Sequence, residues 1–246
     1  MALVTGLESL VKRVTRTWKA QAPHLWWGDA VDARFLVADA VRRLRGVRVL
    51  DVGCGAGVLL SEVDAGNVRV GVDRSADSLR FAARLDGALR LCQGNMLSLP
   101  FPDASVDVVV FCGMLEVPQR ADKARAVQEL ARVLRAGGQL FLTTPNRRYP
   151  RYRRQSLMVD FDELDALLRP AFDAQIRGFN PLPPFPYGVP NKLLAQVPGI
   201  WRLLVALMER GIGRRSGCAF FVTAVKRSEA APSRVSGYAE AGTCAR

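Results

Sequence analysis

The stretch VRVLDVGCGAGVLL, residues 47–60, is the feature that most constrains what this chain can fold into. A β-branched apolar run leads directly into three alternating glycines, and the chain then becomes apolar again. This order is typical of a buried strand that ends in a tight loop, where the backbone comes close to a ligand. Two ligand classes remain open at this stage, a dinucleotide and a nucleoside without phosphates.

Segments that alternate in character predict the class of fold. Between residues 30 and 145, β-branched runs alternate with stretches that carry apolar residues at helical spacing, which indicates βαβ units and a parallel sheet. We expect strands at residues 47–52, 68–73, 89–95, 106–113, 139–145, 172–179 and 218–227. We expect helices at residues 29–45, after an N-cap at Ser75, at residues 123–138 with Gly137 as C-cap, and at residues 160–169.

The distribution of proline, aromatic and small polar residues divides the chain further. We predict an N-terminal helical cap at residues 1–28 and a main domain at residues 29–227. Within that domain, residues 180–216 form an insertion rich in proline and aromatic residues, far longer than a hairpin needs, which predicts a lid. Residues 228–246 are small and polar, and we expect a disordered tail there.

The charge balance bears on possible partners. The 246 residues carry a formal net charge of +12, with a pI of about 10.2, so nucleic acid, a membrane surface or an acidic substrate all have to be considered. The alternative is that arginine-rich coding raises the charge without any function. A hydrophobic content of 49% with 24% charged residues is ordinary for a globular protein.

Cysteine and histidine usage argues against a metal site. The five cysteines show no C-x-x-C spacing and the chain has one histidine, so we predict neither a zinc site nor a disulfide framework. This usage suits a reducing cytosol. The most apolar late segment, residues 193–208, is broken by Gln196, Pro198 and Arg202 and is too short to span a bilayer. We therefore expect a cytoplasmic protein with at most peripheral contact to a membrane.

The residues around the glycines separate the two ligand classes. A dinucleotide fingerprint, G-x-G-x-x-G, needs glycine where this chain has Val58, and Gly57 comes one residue early. Asp51 stands just ahead of the loop, where a carboxylate repels a pyrophosphate but suits a ligand that bears an ammonium and a sulfonium. The pattern therefore favours S-adenosylmethionine over NAD. Asp73, at the end of the second predicted strand, can accept both ribose hydroxyls of either ligand.

Four segments together resemble a known family. VLDVGCGAG, VGVD, GNMLSLPFPDASVDVVV and ARVLRAGGQLFLTTPNR occur in the order found in class I S-adenosylmethionine-dependent methyltransferases of type 11. The resemblance covers about residues 30–227. It implies an α/β fold with a doubly wound, Rossmann-like, seven-stranded sheet whose last strand is antiparallel.

The resemblance also implies a set of cofactor-binding residues. Gly53, Gly55 and Gly57 line the methionine part of the cofactor, Asp73 holds the ribose, Asn95 and Met96 flank the adenine, and Cys112 with Gly113 lies below the transferred methyl group. Asp51, Cys54 and Arg74 complete the residues expected at the cofactor. Asn95 stands where the family more often has aspartate, and its amide can still accept and donate.

Within the family, TPNRR and the tryptophan pair near the N-terminus resemble the ubiquinone-biosynthesis O-methyltransferases. Those enzymes carry a glutamate-x-x-glutamate-histidine motif after the fourth strand, associated with metal-assisted catalysis. Here Glu116 matches the second glutamate, while Gly113 and Val117 replace the other two groups. We predict no catalytic metal.

These features predict direct transfer of a methyl group to a small, lipophilic or aromatic acceptor, with O-methylation favoured. A hydroxyl acceptor benefits from a general base, and the candidates are His24 and Glu116. Each has a plainer interpretation: His24 packs beside the adjacent tryptophans, and Glu116 is solvated at a helix start. A protein that binds the cofactor without turnover and serves as a regulator remains an alternative.

Two basic segments suggest partners. Leu3, Leu7, Leu10, Val11, Val14 and Trp18 form one helical stripe with lysines and arginines on other faces, which suits either an anionic membrane surface or packing over the domain's own cleft. RRYPRYRR, residues 147–154, interleaves arginine and tyrosine as RNA-binding surfaces do. We rank a small-molecule substrate first and RNA methylation second.

Overall fold

Seven strands form one mixed sheet in the computed structural model, which describes residues 31–116, 119–149, 157–179, 215 and 217–228. The strands are β1 Arg48–Val52, β2 Val68–Asp73, β3 Arg90–Gln93, β4 Val106–Cys112, β5 Leu134–Pro145, β6 Phe172–Phe179 and β7 Ala219–Lys226. The helices are α1 Val31–Val41, α2 Ala76–Leu85, α3 Arg120–Val133 and α4 Phe161–Leu168. The predicted cap at residues 1–28, nearly all of the insertion at 180–216 and all of the tail at 228–246 except residue 228 lie outside the described residues.

The strand order is β3-β2-β1-β4-β5-β7-β6. Strands β1 to β5 pair in parallel, and β7 pairs antiparallel with both β5 and β6. The predicted seven-stranded, doubly wound sheet with an antiparallel last strand is therefore confirmed. Because β6 and β5 both oppose β7, β6 ends at the same edge of the sheet as β1 to β5.

Central strands are apolar on both faces because helices cover both faces of the sheet. In β1, Leu50 and Val52 pack into the core under α3 and α4, while Val49 packs on the other face against Val37 and Val41 of α1. Leu50 and Val49 are both fully buried. This two-sided burial explains why the sequence shows a continuous apolar run here rather than an alternating pattern.

Two helix starts have side-chain caps. The hydroxyl of Ser75 accepts from the backbone N–H of Ser78, which confirms the predicted N-cap of α2. Asp160 caps α4 in the same way, accepting from the backbone N–H of Glu163 at 3.0 Å. These side chains satisfy amide groups that have no partner inside their own helix.

The predicted end of α3 is wrong. The helix ends at Val133, and Gly137 lies four residues beyond it at a φ of +72°. Pairing of β4 with β5 moves from Val106 opposite Leu134 to Val108 opposite Gln139, so the intervening residues of β5 bulge out. Gly137 and the neighbouring Gly138 lie in this bulge and do not cap the helix.

The sheet has one switch point. β1 lies between β2 and β4, and the chain leaves it toward β2 on one side and reaches β4 on the other. In open α/β sheets of this kind, ligands bind in the crevice at the carboxyl ends of the strands beside the switch point. The glycine loop follows β1 at that place. No helix in the described part of the chain has the length and apolarity to cross a bilayer.

Candidate functional site

The glycine loop is pinned to the neighbouring strand by its own backbone. The amides of Gly53 and Cys54 both donate to the carbonyl of Val72, at 2.8 and 3.1 Å. Gly53, Gly55 and Gly57 have φ values of +78°, +53° and +75°. Because this left-handed region is costly for other residues, all three positions favour glycine. Two of the amides that could face a ligand are thereby already committed to β2.

The three glycines face different surroundings. A Cβ atom built on Gly57 would lie 3.0 Å from Ala82 of α2 and 3.0 Å from Leu89, so this glycine permits close packing. A Cβ on Gly53 would collide with Met114, while one on Gly55 meets nothing within 4 Å. Gly55 is therefore the glycine of the loop that leaves room for a ligand against the backbone.

Asp73 connects the glycine loop to the start of α2. One carboxylate oxygen accepts from the amide of Gly55 at 2.9 Å, and the other accepts from the amide of Ser75 at 2.8 Å. Each oxygen keeps further acceptor capacity, so the side chain can hold the loop and still accept from ribose hydroxyls. Asp73 is half-buried at the end of β2, where the sequence predicts a ribose contact.

The side chains of Asp51, which precedes the glycine loop, and Cys54, which belongs to it, are both buried. Asp51 sits within β1, opposite Gly71 and Val110, and its exposed fraction is only 3%. Burial, together with the negative charges of Asp51 and Asp73, raises the pKa of the Cys54 thiol. Cys54 is therefore a neutral packing group and not a nucleophile. Asp51 occupies the floor of the site and not an exposed mouth.

The chain after the glycine loop forms no α-helix. Residues Leu60–Glu62 make a single short 3₁₀ turn before the chain reaches β2. Pyrophosphate groups of dinucleotides bind where an α-helix begins, because its free amides and dipole attract negative charge. That element is missing from this loop, which favours a nucleoside ligand without phosphates.

Residues predicted to flank an adenine ring lie in the loop between β3 and β4. Asn95 is exposed, its side-chain oxygen accepts from the amide of Leu97 at 3.0 Å, and Met96 beside it is half-buried. Arg74, the neighbour of Asp73, is exposed, and its carbonyl accepts from the side-chain amide of Gln93. These groups line the carboxyl ends of β2 and β3.

Helix α3 clamps this loop, a feature that the sequence analysis missed. Arg132 donates to the carbonyls of Leu99 and Phe101, and Glu129 accepts from the amide of Leu99 at 2.8 Å. The hydrogen bond from Arg132 lowers the pKa of the Glu129 carboxyl, so the pair stays charged. The signal available in the sequence was their i, i+3 spacing on a helix face that also carries Ala126 and Val133.

The loop after β4 borders the glycine loop. Cys112 is buried and pairs with Thr143, and the amide of Gly113 donates to the Thr143 carbonyl at 2.9 Å. Met114 and Glu116 follow and are half-buried. Glu116 thus lies on the loop that faces the crevice, whereas His24 lies outside the described residues. Within the described ranges, no group of three histidine, cysteine, aspartate or glutamate side chains is placed to hold a metal ion.

The first two arginines of the arginine-rich loop form ion pairs. Arg147 contacts Asp160 at 2.7 Å and Glu163 at 3.2 Å, and Arg148 contacts Asp162 at 3.1 Å. The hydrogen bond to Asp160 raises the pKa of Arg147. Both arginines are thus bound to the first turn of α4. Residues 150–154, the rest of this loop, lie outside the described residues.

Comparison with known proteins agrees with this geometry. Residues 50–142, which include the glycine loop, Asp73, Asn95 and Cys112, match the family described as "Methyltransferase domain". Residues 50–142 are a methyltransferase domain of class I. The methyl donor of this family is S-adenosylmethionine, and the open backbone at Gly55 beside the Asp73 carboxylate fits its nucleoside part.

Three of the similar proteins illustrate the likeness. A probable S-adenosylmethionine-dependent methyltransferase of Mycobacterium tuberculosis is 40% identical over 102 residues, which are 40% of this chain and 36% of the relative. A fatty-acid O-methyltransferase of Mycolicibacterium smegmatis is 34% identical, over 43% of this chain and 40% of the relative. A ubiquinone biosynthesis O-methyltransferase of Paracidovorax citrulli is 34% identical, over 52% of this chain and 60% of the relative.

The alignments thus span less than two thirds of the length of each of these relatives. Among solved structures, the PH0226 protein of Pyrococcus horikoshii superposes with a TM-score of 0.57, covering 80% of this chain and 89% of that one at 15% identity. An identity this low supports the shared fold alone.

Proposed function

We propose that this protein transfers a methyl group from S-adenosylmethionine to a hydroxyl or carboxyl oxygen of a small lipophilic or aromatic acceptor. The observation that carries the proposal is the glycine loop, which is open at Gly55, closed by packing at Gly57 and tied to Asp73. Two of the named relatives are O-methyltransferases whose names specify a fatty acid and ubiquinone biosynthesis. Their names support oxygen as the acceptor atom.

The residues of this chain have separable tasks in such a reaction. Asp73 and the open backbone at Gly55 hold the nucleoside, and the clamp of Glu129 and Arg132 fixes the loop that borders the adenine. When bound, S-adenosylmethionine supplies a methyl group already activated by a positively charged sulfur. The remaining task of the chain is to hold an acceptor oxygen in line with that group, and such alignment contributes about 7–11 kcal/mol to lowering a barrier.

Removal of the acceptor proton is assigned to a general base. Glu116 is the candidate among the described residues, because it is half-buried on the loop that follows β4. His24 remains a second prediction. The carboxylate of Glu116 can act as a base toward a substrate whose phenol or catechol hydroxyl has to lose a proton. A fatty-acid substrate, which is methylated on its own carboxylate, needs no base.

The experiment has two stages. Isothermal titration calorimetry with S-adenosylhomocysteine comes first, and we expect saturable binding in the micromolar range. Methyl-labelled S-adenosylmethionine is then supplied with a long-chain fatty acid, with a catechol and with bulk tRNA as separate acceptors. Label in the fatty acid or the catechol supports the proposal, while binding without turnover on any acceptor favours a regulatory protein. Absence of binding overturns the proposal.

Methylation of RNA is less favoured. Its sequence argument was the arginine-rich loop, and the first two arginines of that loop are paired with Asp160, Asp162 and Glu163. Arg147 is committed to the two half-buried carboxylates of Asp160 and Glu163 and is thus less available to a phosphate, whereas Arg148 is held only weakly by the exposed Asp162. Label appearing in tRNA, and weakening steeply with salt, would reverse this ranking.

Peripheral membrane contact remains a proposal for the N-terminal stripe. A lipophilic acceptor resides in membranes, so a basic amphipathic segment that binds a membrane surface would bring the enzyme to its substrate. Sedimentation with anionic vesicles, for the full chain and for a variant that lacks residues 1–20, tests this. Equal sedimentation of the two proteins contradicts a docking role for that segment.

A further inference from the structure

Strand β6 forms one outer edge of the sheet, and β3 forms the other. Among the described residues, no strand pairs with the side of β6 that faces away from β7. Proteins commonly shield such an edge from other strands by keeping it short or by placing proline, lysine or a bulge in it. β3 has four residues, whereas β6 has eight, contains neither proline nor lysine, and pairs with β7 without a break in register. Of the two edges, β6 is therefore the one suited to accept a further strand.

The pairing with β7 determines which backbone groups β6 directs outward. The amide of Arg227 donates to the carbonyl of Ala171 at 3.0 Å, just before the first residue of the strand. In an antiparallel ladder, residues that exchange hydrogen bonds with the partner alternate with residues whose backbone groups point away from it. Along the unbroken register, the residues that direct their amides and carbonyls away from β7 are therefore Phe172, Ala174, Ile176 and Gly178.

The exposed side chains of β6 have a two-fold pattern. Asp173, Gln175 and Arg177 are exposed, and the acid and the base lie at equal distances on either side of Gln175. When a second β6 lies antiparallel, with the two Gln175 residues opposite each other, Asp173 of each copy faces Arg177 of the other. These positions exchange no backbone hydrogen bonds with each other, and their side chains approach most closely. Opposite charges at facing positions stabilise a sheet, whereas like charges destabilise it.

The backbone and the charges select the same register. With Gln175 opposite Gln175, the outward-directed groups of Ala174 face those of Ile176, and the groups of Phe172 face those of Gly178, so all of them can pair. A slip of one residue would set outward groups against inward ones. A slip of two residues would leave neither charge opposite the other, and a slip of four would set like charges opposite each other. The arrangement centred on Gln175 is therefore the favoured one.

We propose that β6 is a self-association surface, through which two copies of this chain pair antiparallel and form one continuous sheet. Asp173 of each copy then contacts Arg177 of the other. Asp173 also pairs with Arg227 of its own chain at 2.8 Å, and its two oxygens can accept from both arginines. The inference goes beyond the proposed function and does not depend on it, because antiparallel pairing directs the glycine-loop edges of the two sheets to opposite ends.

Sedimentation velocity measures the association. The net charge of +12 opposes self-association, and a single strand edge is smaller than a permanent interface. We therefore expect a reversible dimer with a dissociation constant of about 10–100 μM at physiological salt. A chain that sediments as a monomer even at several times these concentrations overturns the proposal.

Two charge reversals test the register. Asp173→Arg sets an arginine opposite Arg177 of the other copy, and Arg177→Asp sets an aspartate opposite Asp173, so each variant alone should dimerise at least about tenfold more weakly than the wild type. An equimolar mixture of the two variants should dimerise about as well as the wild type, because both facing pairs are then of opposite charge. Wild-type dimerisation by either variant alone, or no association in the mixture, contradicts the register.

The matched control for charge is Glu62→Arg, which changes the net charge as Asp173→Arg does and also breaks an exposed ion pair, the one with Arg42. Because Glu62 lies after β1 and far from β6 in the strand order, its variant should dimerise within about twofold of the wild type. A loss of dimerisation in Glu62→Arg as large as in Asp173→Arg would assign the association to overall charge and overturn the proposal.

Proline variants test the backbone pairing. Ala174→Pro removes an amide that points outward, where edge strands tolerate proline, so it should abolish the dimer and leave a folded monomer by circular dichroism. Gln175→Pro removes an amide that points to β7, and it should lower the melting temperature more than Ala174→Pro. A dimer that persists in Ala174→Pro shows that the edge of β6 is not the surface of association.

Discussion

The two halves of the sheet hold their loops by different means. In the half that contains β1, β2 and β3, the glycine loop is held by amides that donate to Val72 and to Asp73. In the half that contains β5 and α4, the chain is held by charged side chains, with Arg147 between Asp160 and Glu163 and with Lys123 of α3 against Glu163. The glycine loop is thus held by backbone amides and one carboxylate, and the chain around the start of α4 is held by paired charges.

This difference indicates which parts of the molecule are available to bind a ligand. The first half keeps an open surface at Gly55 and unused acceptor capacity on Asp73. The second half has satisfied its charges internally: the Lys123 side chain is only 3% exposed and has Glu163 as its partner. Mutations in the first half should therefore change ligand affinity, and mutations in the second half should change stability.

The largest expected effect is on stability, from Glu163→Gln. The substitution leaves the buried ammonium of Lys123 without a counter-charge, and removing one partner of a buried pair costs about 3–5 kcal/mol. Urea denaturation at neutral pH measures this loss, and affinity for S-adenosylhomocysteine in the remaining folded protein should be unchanged. The exposed pair of Arg42 and Glu62 provides the control, since Glu62→Gln should cost less than about 1 kcal/mol.

Asp73→Ala should produce the largest loss of binding. It removes the two proposed ribose contacts and also releases the amides of Gly55 and Ser75, so we expect a loss of about 2–4 kcal/mol in S-adenosylhomocysteine affinity. Calorimetry measures it. Asp73→Asn keeps one acceptor oxygen and should fall between the wild type and Asp73→Ala. An unchanged affinity in Asp73→Ala would place the ribose elsewhere.

Gly55→Ala should chiefly reduce ligand affinity, whereas Gly57→Ala should chiefly reduce stability. Both put a side chain at positive φ, which costs about 1–2 kcal/mol of stability. Gly57→Ala also brings its Cβ atom to 3.0 Å from Ala82 and from Leu89, so these neighbours must shift, and it should be the less stable variant. Gly55→Ala meets open space and should be the more stable of the two, yet it should lose at least about tenfold in S-adenosylhomocysteine affinity because its methyl group occupies ligand space. Equal affinities in the two variants contradict the assignment of Gly55 as the ligand-facing glycine.

Ser75→Ala should have the smallest effect. It removes the hydroxyl that caps α2, at a cost of about 1 kcal/mol in stability, while the backbone amide that donates to Asp73 remains. Thermal unfolding should therefore show a lower melting temperature with affinity for S-adenosylhomocysteine within about twofold. A large loss of affinity would show that the cap, and not the Asp73 carboxylate alone, positions the loop.

Local sequence patterns correctly predicted the half of the sheet that contains β1, β2 and β3. The apolar run of β1, the cap at Ser75 and the place of Asp73 at the end of β2 depend on residues that are near neighbours in sequence, and the structure has each of them as expected. Local alternation of strands and helices indicated the parallel part of the sheet, whereas the seven strands with an antiparallel last one were implied by the family resemblance.

Long-range partners escaped prediction for a physical reason. The roles of Gly137 and Arg147 are decided by strand register or by contact with an element far along the chain. A run of arginines looks the same in sequence whether it faces solvent or the carboxylates of a later helix. Only the packing of α4 beside β5 shows that Arg147 and Arg148 have partners.

The direction of β6 has a consequence for how this family diversifies. β6 ends and β7 begins at the edge of the sheet where the glycine loop lies, and Arg215, just before β7, stacks on Phe161 and pairs with Asp162. The chain between those two strands can therefore gain, lose or exchange residues without altering a single strand pairing. The length of this connection is therefore independent of the strand order that positions the glycine loop, although both lie at the same edge of the sheet.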